Sequence, residues 1–402
     1  MPETYIEPLT DRYTCFQCNK AATGKKKLLK CGGCQAITYC SQECQVEDRP
    51  RHKWNCVPVM VTEIPGKGRG LVAARDISMG ELIFKDKCSI KLPVVDWDHN
   101  FLPGSDTITS LMNQIENLPS EAKLQFYKLK TPLDTLNFPG HKEFKIFLSN
   151  ATDDYNIWRL YLNISLINHS CAPNAATGGL QPEDSDDISD MIFEIRAVKD
   201  IKRGEEVTIC YLLGDGNSLA FKERRDIALE KFGFDCKCTA CTCPDNISQQ
   251  EEIFKEMFML NLQLDQDHLR KNAETWADEA KIFERITELT LKTDIGRVCD
   301  KTRALDLLVI AAQMARDQDL LKKAMAMWKE VIENTKLEDL KEPYEKAERD
   351  LSQWTKQLKS KKNPKKNEIV AFLGSFTESE VEEAEMSKMN LVMQGLNEMG
   401  LL

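Results

Sequence analysis

Eight metal-binding side chains stand in four close pairs near the start of this 402-residue sequence, and no other feature constrains its folding as tightly. Cys15 and Cys18 form one C-x2-C pair and Cys31 and Cys34 a second; Cys40 and Cys44 follow on a four-residue step, and His52 and Cys56 on another. Ligands two to four residues apart reach one ion from a turn or a helical face, so the set makes two tetrahedral zinc sites. The segment 15–56 is too short to bury a real core, and metal must supply most of its folding free energy. Four ligands per ion leave no open position, which makes these zincs structural.

The rest of the composition agrees with metal rather than disulfides. Fifteen cysteines is an odd number, and the Met1-Pro2-Glu3-Thr4-Tyr5 start lacks a basic-then-apolar signal, so secretion is not expected. No run approaches 18 apolar residues, which excludes a membrane span. With 42% hydrophobic and 29% charged residues the chain is neither collagenous nor fully disordered, and its length suits two or three domains. Fourteen of 15 Cys, 12 of 15 Pro and 15 of 19 Gly fall at or before Cys243. The first 243 residues therefore read as turn-rich and largely β, the last 159 as helical. Ile282, Ile286 and Leu289, then Leu305, Leu308 and Ala312, then Met325, Trp328 and Ile332 repeat at helical spacing, as in stacked helix pairs.

Four motifs lie between these regions. Ile64-Pro65-Gly66-Lys67-Gly68-Arg69-Gly70-Leu71 is a glycine-rich run without the βαβ frame of a dinucleotide site. Asn168-His169-Ser170-Cys171-Ala172-Pro173-Asn174 follows, then the β-like run Glu206-Val207-Thr208-Ile209-Cys210-Tyr211. Phe232-Gly233-Phe234-Asp235-Cys236-Lys237-Cys238-Thr239-Ala240-Cys241 comes last. Leu82–Phe84 and Met191–Ile195 are further short strands, and helices are expected around Ile108–Ile115 and Ala122–Lys128.

In this order the motifs resemble a SET domain with a cysteine-rich post-SET tail, and the N-terminal cysteines resemble a MYND zinc finger. Together the chain resembles the SMYD family of SET-and-MYND protein-lysine methyltransferases. With the finger N-terminal to the glycine-rich strand, the layout is similar to the arthropod SmydA group. The implied fold is multidomain α+β: a cross-braced MYND finger, a β-rich SET domain with a zinc-binding tail, and an all-α, TPR-like C-terminal domain. The expected boundaries are a lead over 1–14, the finger over 15–56, the SET domain over 57–235 with a variable insert over 98–158, the post-SET cluster over 236–243 and helices over 244–402.

The resemblance also implies roles. Cys15, Cys18, Cys40 and Cys44 would hold one zinc; Cys31, Cys34, His52 and Cys56 a second; Cys171, Cys236, Cys238 and Cys241 a third. S-adenosylmethionine would lie against Lys67, Gly68, Arg69, Asn168 and His169, with Phe232 and Phe234 walling the channel and Tyr211 as the catalytic tyrosine. The implied activity is methyl transfer to a lysine of histone or non-histone proteins, with roles in chromatin and transcription and a location in nucleus and cytoplasm. The alternative is a catalytically weak adaptor or corepressor whose finger recruits proline-containing peptides.

Several details depart from the family. Its Asn-x-Phe element has no well-framed counterpart, although Asn150 and Asn156 are candidates; Leu162 stands where proline is frequent, and Phe232 where tyrosine is. Once seven thiolates and two zincs are counted, the finger's formal +5 falls to about +2. With a net charge of −10 for the whole chain, direct nucleic-acid binding is not expected, and a monomer is. The acidic stretch Glu183–Asp190 and the lysine-rich stretch Lys356–Lys366 read as solvated loops, the latter with a nuclear-targeting patch as its alternative. Cys88, Cys210, Cys243 and Cys299 remain as unassigned thiols, with Cys243 a rival ligand for the third zinc.

Overall fold

The finger has almost no apolar interior, as its length requires. The computed structural model describes residues 15–18, 20, 28–53, 56–93, 104–131, 141–154, 157–180, 191–212, 220–268, 275–293, 295, 298–315, 317–337, 340–341, 344–349 and 352. Strand β1 (Leu29–Lys30) pairs antiparallel with β2 (Thr38–Tyr39), and helix α1 (Gln42–His52) follows. Tyr39 is fully buried, and its hydroxyl donates to Asp48 Oδ2 at 2.7 Å. The remainder of this small interior is chiefly cysteine sulfur.

Next comes a hairpin of β3 (Val59–Ile64) and β4 (Gly68–Ala73), whose register closes on the Pro65–Lys67 turn at Ile64 and Gly68. Val59 and Val61 alternate inward from β3 and meet Leu71 and Ala73 of β4. Strands β5 (Leu82–Lys87) and β6 (Ile90–Pro93) lead into α2 (Ser105–Glu116), α3 (Ser120–Tyr127) and α4 (Lys142–Asn150). Then β7 (Ala151–Asp154) and β8 (Ile157–Leu160) complete a three-stranded sheet in the order β6-β8-β7. The two helices expected from the sequence in this insert are α2 and α3. Leu111, Ile115, Phe126, Phe144 and Phe147 give these helices a core of their own, shared with Ile90, Leu92 and Leu160.

After a single 3-10 turn over Ile164–Leu166, β9 (Asn168–His169), β10 (Ala175–Leu180), β11 (Ile192–Ala197) and β12 (Glu206–Ile209) build two more sheets. One has the order β10-β11-β5; the other, β3-β4-β12-β9, carries the site. Here β12 runs antiparallel to β4 and parallel to β9, placing Glu206 opposite Val72 and Ile209 opposite His169. Asn174 holds β12 in place by donating from Nδ2 to the Glu206 carbonyl and accepting Thr208 N–H at Oδ1, each at 2.8 Å.

Beyond the sheets, helix follows helix from α5 (Phe221–Phe232) and the short α6 (Thr239–Thr242), so with α1 to α4 the first 243 residues hold more helix than the cysteine, proline and glycine distribution suggests. Then come α7 (Pro244–His268), α8 (Thr275–Lys292), α9 (Val298–Ala315) and α10 (Gln318–Thr335). The chain divides into two units: one of residues 1–254, 291–302 and 329–341, the other of 255–290, 303–328 and 342–402. In the second, the predicted stripes face inward: Ile282, Leu289, Leu305, Leu308, Ala312, Met325 and Trp328 are buried. Lys323 bridges Glu284 and Glu288 there, and Arg285 forks onto Glu256. Among the described residues no helix is long and apolar enough to cross a membrane. Asn156, the acidic stretch 183–190 and the lysine-rich stretch 356–366 lie outside the described residues.

Candidate active site and zinc centres

Three groups of four ligands converge, each with its ligand atoms within 4.8 Å of one another: Cys15, Cys18, Cys40 and Cys44; Cys31, Cys34, His52 and Cys56; Cys171, Cys236, Cys238 and Cys241. Zinc–sulfur bonds of about 2.3 Å at tetrahedral angles set sulfur–sulfur edges of about 3.8 Å. The edges here are Cys18–Cys40 and Cys40–Cys44 at 3.6 Å, Cys31–Cys56 at 3.7 Å, and Cys171 to Cys241 and Cys236 at 3.6 and 3.9 Å. His52 presents Nε2 to Cys31 and Cys34 at 3.3 and 3.5 Å, the shorter edge that a zinc–nitrogen bond requires. Hydrogen bonding from Cys56, ahead of the opposing effect of burial, pulls the Cys34 thiol well below its usual range, toward the thiolate that metal binding needs. The residues thus fit three closed zinc sites. Cys243 lies outside the third four-sulfur group.

That third group is tied to the tyrosine just beyond β12. The Tyr211 N–H donates to His169 Nδ1 at 3.0 Å, so the proton of the neutral ring sits on Nε2, which faces Cys171 Sγ at 3.3 Å. Both ring nitrogens of His169 are engaged within the protein. Arg225 of α5 donates to Asp235, fixing the start of the cysteine tail.

Around Tyr211 the rings gather into a cage. His169 and Phe232 lie 5.4 Å from it between ring centroids and Phe234 6.4 Å, while Phe232 and Phe234 are 6.3 Å apart. The Tyr211 hydroxyl donates to the Ile167 carbonyl. Burial of the phenol, reinforced by the negative charge of Glu206, raises its pKa well above the usual tyrosine range, so it stays protonated. The cluster is therefore aromatic, with the Tyr211 hydroxyl paired to the Ile167 carbonyl and the His169 nitrogens engaged by Tyr211 N–H and Cys171.

One residue along, Asn168 connects the cage to the glycine hairpin. Its Nδ2 donates to the Arg69 carbonyl at 3.2 Å and to Glu206 Oε1 at 2.9 Å, and Lys67 Nζ donates to Glu206 Oε2 at 2.6 Å. Gly70 makes the approach feasible, since a Cβ there would stand 2.6 Å from Asn168 Nδ2. Gly68 adopts φ +78°, the left-handed region, and a Cβ on it would meet the Lys130 ammonium end at 2.5 Å. Lys130 donates to the Lys67 carbonyl at 2.7 Å, and the Arg69 guanidinium donates to the Lys128 carbonyl, so the end of α3 straps the glycine turn. Asn150 Nδ2 secures the strap by donating to the Lys130 carbonyl at 2.9 Å.

The site residues named from the sequence thus form two adjoining clusters: Lys67, Gly68, Arg69 and Asn168 at the hairpin, and His169, Tyr211, Phe232 and Phe234 in the cage. Arg69 reaches them through its backbone, because its head group leaves for the strap. Glu206, Lys130 and the Ile167 carbonyl carried no sequence signal of a role. Asn150 did carry one as an asparagine ahead of the Asn-His-Ser-Cys strand, and it stands beside the glycine turn.

Fold and site together define a SET domain preceded by a closed zinc finger. The MYND finger family model matches residues 15–56, and the SET domain model residues 68–212. The human histone-lysine N-methyltransferase SMYD3 is 26% identical over 265 residues, covering 60% of this chain and 56% of that protein. The human N-lysine methyltransferase SMYD2 is 27% identical over 265 residues, covering 62% and 56%. Mouse SMYD3 is 27% identical over 263 residues, covering 60% and 56%. The chain thus carries a MYND finger followed by a SET domain and is similar to SET-and-MYND (SMYD) methyltransferases, and it spans about half the length of the curated relatives it matches.

Proposed function

We propose that the chain is a protein-lysine N-methyltransferase that uses S-adenosylmethionine. The observation that carries this is the Tyr211 cage, with its hydroxyl and the Ile167 carbonyl, joined through Asn168 to a glycine hairpin that allows close backbone approach. The hairpin's residues fit the cofactor: a cation at Lys67, an amide at Asn168 and no side chain at Gly68 or Gly70. S-adenosylmethionine would supply a methyl group carried on a positively charged sulfur.

The chain's own groups do the rest. A free lysine titrates near about 10.4, and enclosure by Phe232, Phe234 and Tyr211 favours the neutral amine that displacement needs. Ring faces attract the sulfonium and the methylated ammonium. The Tyr211 hydroxyl and Ile167 carbonyl orient the amine so that its lone pair is aimed at the methyl carbon. No protein group has to exchange a proton during transfer. His169 keeps Tyr211 in place by accepting its backbone N–H, and Cys171, which would help hold the third zinc, would steady His169 in turn.

The substrate would be a lysine of a histone or non-histone protein. The finger would dock a proline-containing peptide, a role supported by the exposure of Leu29 and Val46, 48% and 62% accessible on a module otherwise held by metal. The test is transfer of labelled methyl to a protein library, alongside calorimetric titration of S-adenosylmethionine. Binding and transfer are expected; binding without transfer to any protein would favour the adaptor.

A further inference from the structure

The hydrogen bonds beside Gly70 have a fixed polarity. Asn168 Nδ2 faces two acceptors, a carbonyl and a carboxylate oxygen, so both amide protons are used. The carboxamide can be placed only one way round, and Oδ1 is left as an acceptor. Across the same carboxylate, Lys67 gives one proton to Glu206 Oε2 and keeps two on its ammonium. Glu206 therefore holds a cation on one side and a fixed acceptor on the other. This pair is complementary to the carboxylate and ammonium of an α-amino acid. The Glu206 side chain is only 18% exposed, so its two partners are held in partly desolvated bonds rather than loose surface contacts.

We infer that Glu206 is a positioning residue for the amino-acid end of the cofactor, acting through Lys67 and Asn168. The inference rests on the methyltransferase reading above. Gln at this position is nearly isosteric, yet it offers one acceptor and one donor where two donors converge. Either Lys67 or Asn168 would be turned away, and a packing role alone would tolerate the change.

The test is calorimetric titration of the full, zinc-loaded chain with three probes. Two are S-adenosylmethionine and S-adenosylhomocysteine; the third, 5′-methylthioadenosine, keeps nucleoside and sulfur but lacks the amino-acid end. Glu206→Gln should weaken the first two by about tenfold or more, as expected for a lost charge-assisted pair, and the third by less than about twofold. Glu206→Asp, which keeps the charge, should recover part of the loss. A Glu206→Gln protein with wild-type zinc content and melting temperature that binds S-adenosylmethionine within about twofold of wild type overturns the inference. An equal loss for all three probes also overturns it. If the wild-type chain binds none of them, the methyltransferase reading fails and takes this inference with it, so the two failures differ. Should Glu206→Gln not fold, Lys67→Met carries the test: the same selective loss is expected, and undiminished binding contradicts it.

Discussion

Two single residues make separable predictions. Tyr211→Phe removes one oxygen from the cage and leaves its ring contacts; turnover should fall by about 100-fold or more while cofactor affinity changes little. Equal losses in both would mean that Tyr211 supports the pocket rather than the reaction. Asp86 is a structural counterpart: its carboxylate accepts Asn163 N–H, Asn163 Nδ2 and Ile164 N–H, each at 2.9 Å, and so anchors the turn ahead of β9. Burial pushes its carboxyl up to about 7, against those hydrogen bonds. An unfolded aspartate ionises near about 3.9, so between these values the folded chain holds the extra proton and stability falls as pH rises. Asp86→Asn removes this dependence while disturbing the turn. The melting temperature of the variant relative to wild type should therefore rise between about pH 5 and about pH 8. A constant difference would show that Asp86 is ionised throughout. Neither behaviour was legible in the sequence, because the groups that bond the Asp86 carboxylate lie 77 or 78 residues away and the carbonyl that accepts from the Tyr211 hydroxyl lies 44 residues away.

At the scale of elements, the local patterns were read well and the long-range ones poorly. Ligand spacing marked the finger because both members of each pair sit on one turn or helix. Short β-like runs marked β5, β11 and β12, and helical stripes marked α8 to α10, since each depends only on near neighbours. The strap from α3 onto the glycine turn was hidden: Lys128 and Lys130 act there through a backbone carbonyl and an ammonium packed on a glycine. Gly68→Ala tests that turn. Its left-handed φ should cost about 1–2 kcal/mol in urea denaturation, and an unchanged midpoint would contradict the assigned turn. The third zinc is the other element-scale device, joining Cys171 after β9 to the tail beyond α5. Elemental analysis should give three zincs per wild-type chain, two for Cys238→Ser and three for Cys243→Ser; three zincs in Cys238→Ser would make Cys243 the ligand.

In the finger, zinc would do what a larger apolar core does in the rest of the molecule, and the cysteine spacing announced it. Eleven cysteines and His52 fill twelve ligand places. The fourfold pattern was visible for the finger because its ligands are local, but the third site became readable only through a family resemblance, as Cys171 and Cys236 are 65 residues apart. A net charge of −10 suits attraction of a basic protein segment more than of nucleic acid. The most direct measurement is transfer of a labelled methyl group from S-adenosylmethionine to lysine in a protein library by the full, zinc-loaded chain. Label on lysine side chains that disappears with Tyr211→Phe is predicted. A chain that holds three zincs yet neither binds the cofactor nor labels any lysine would contradict it.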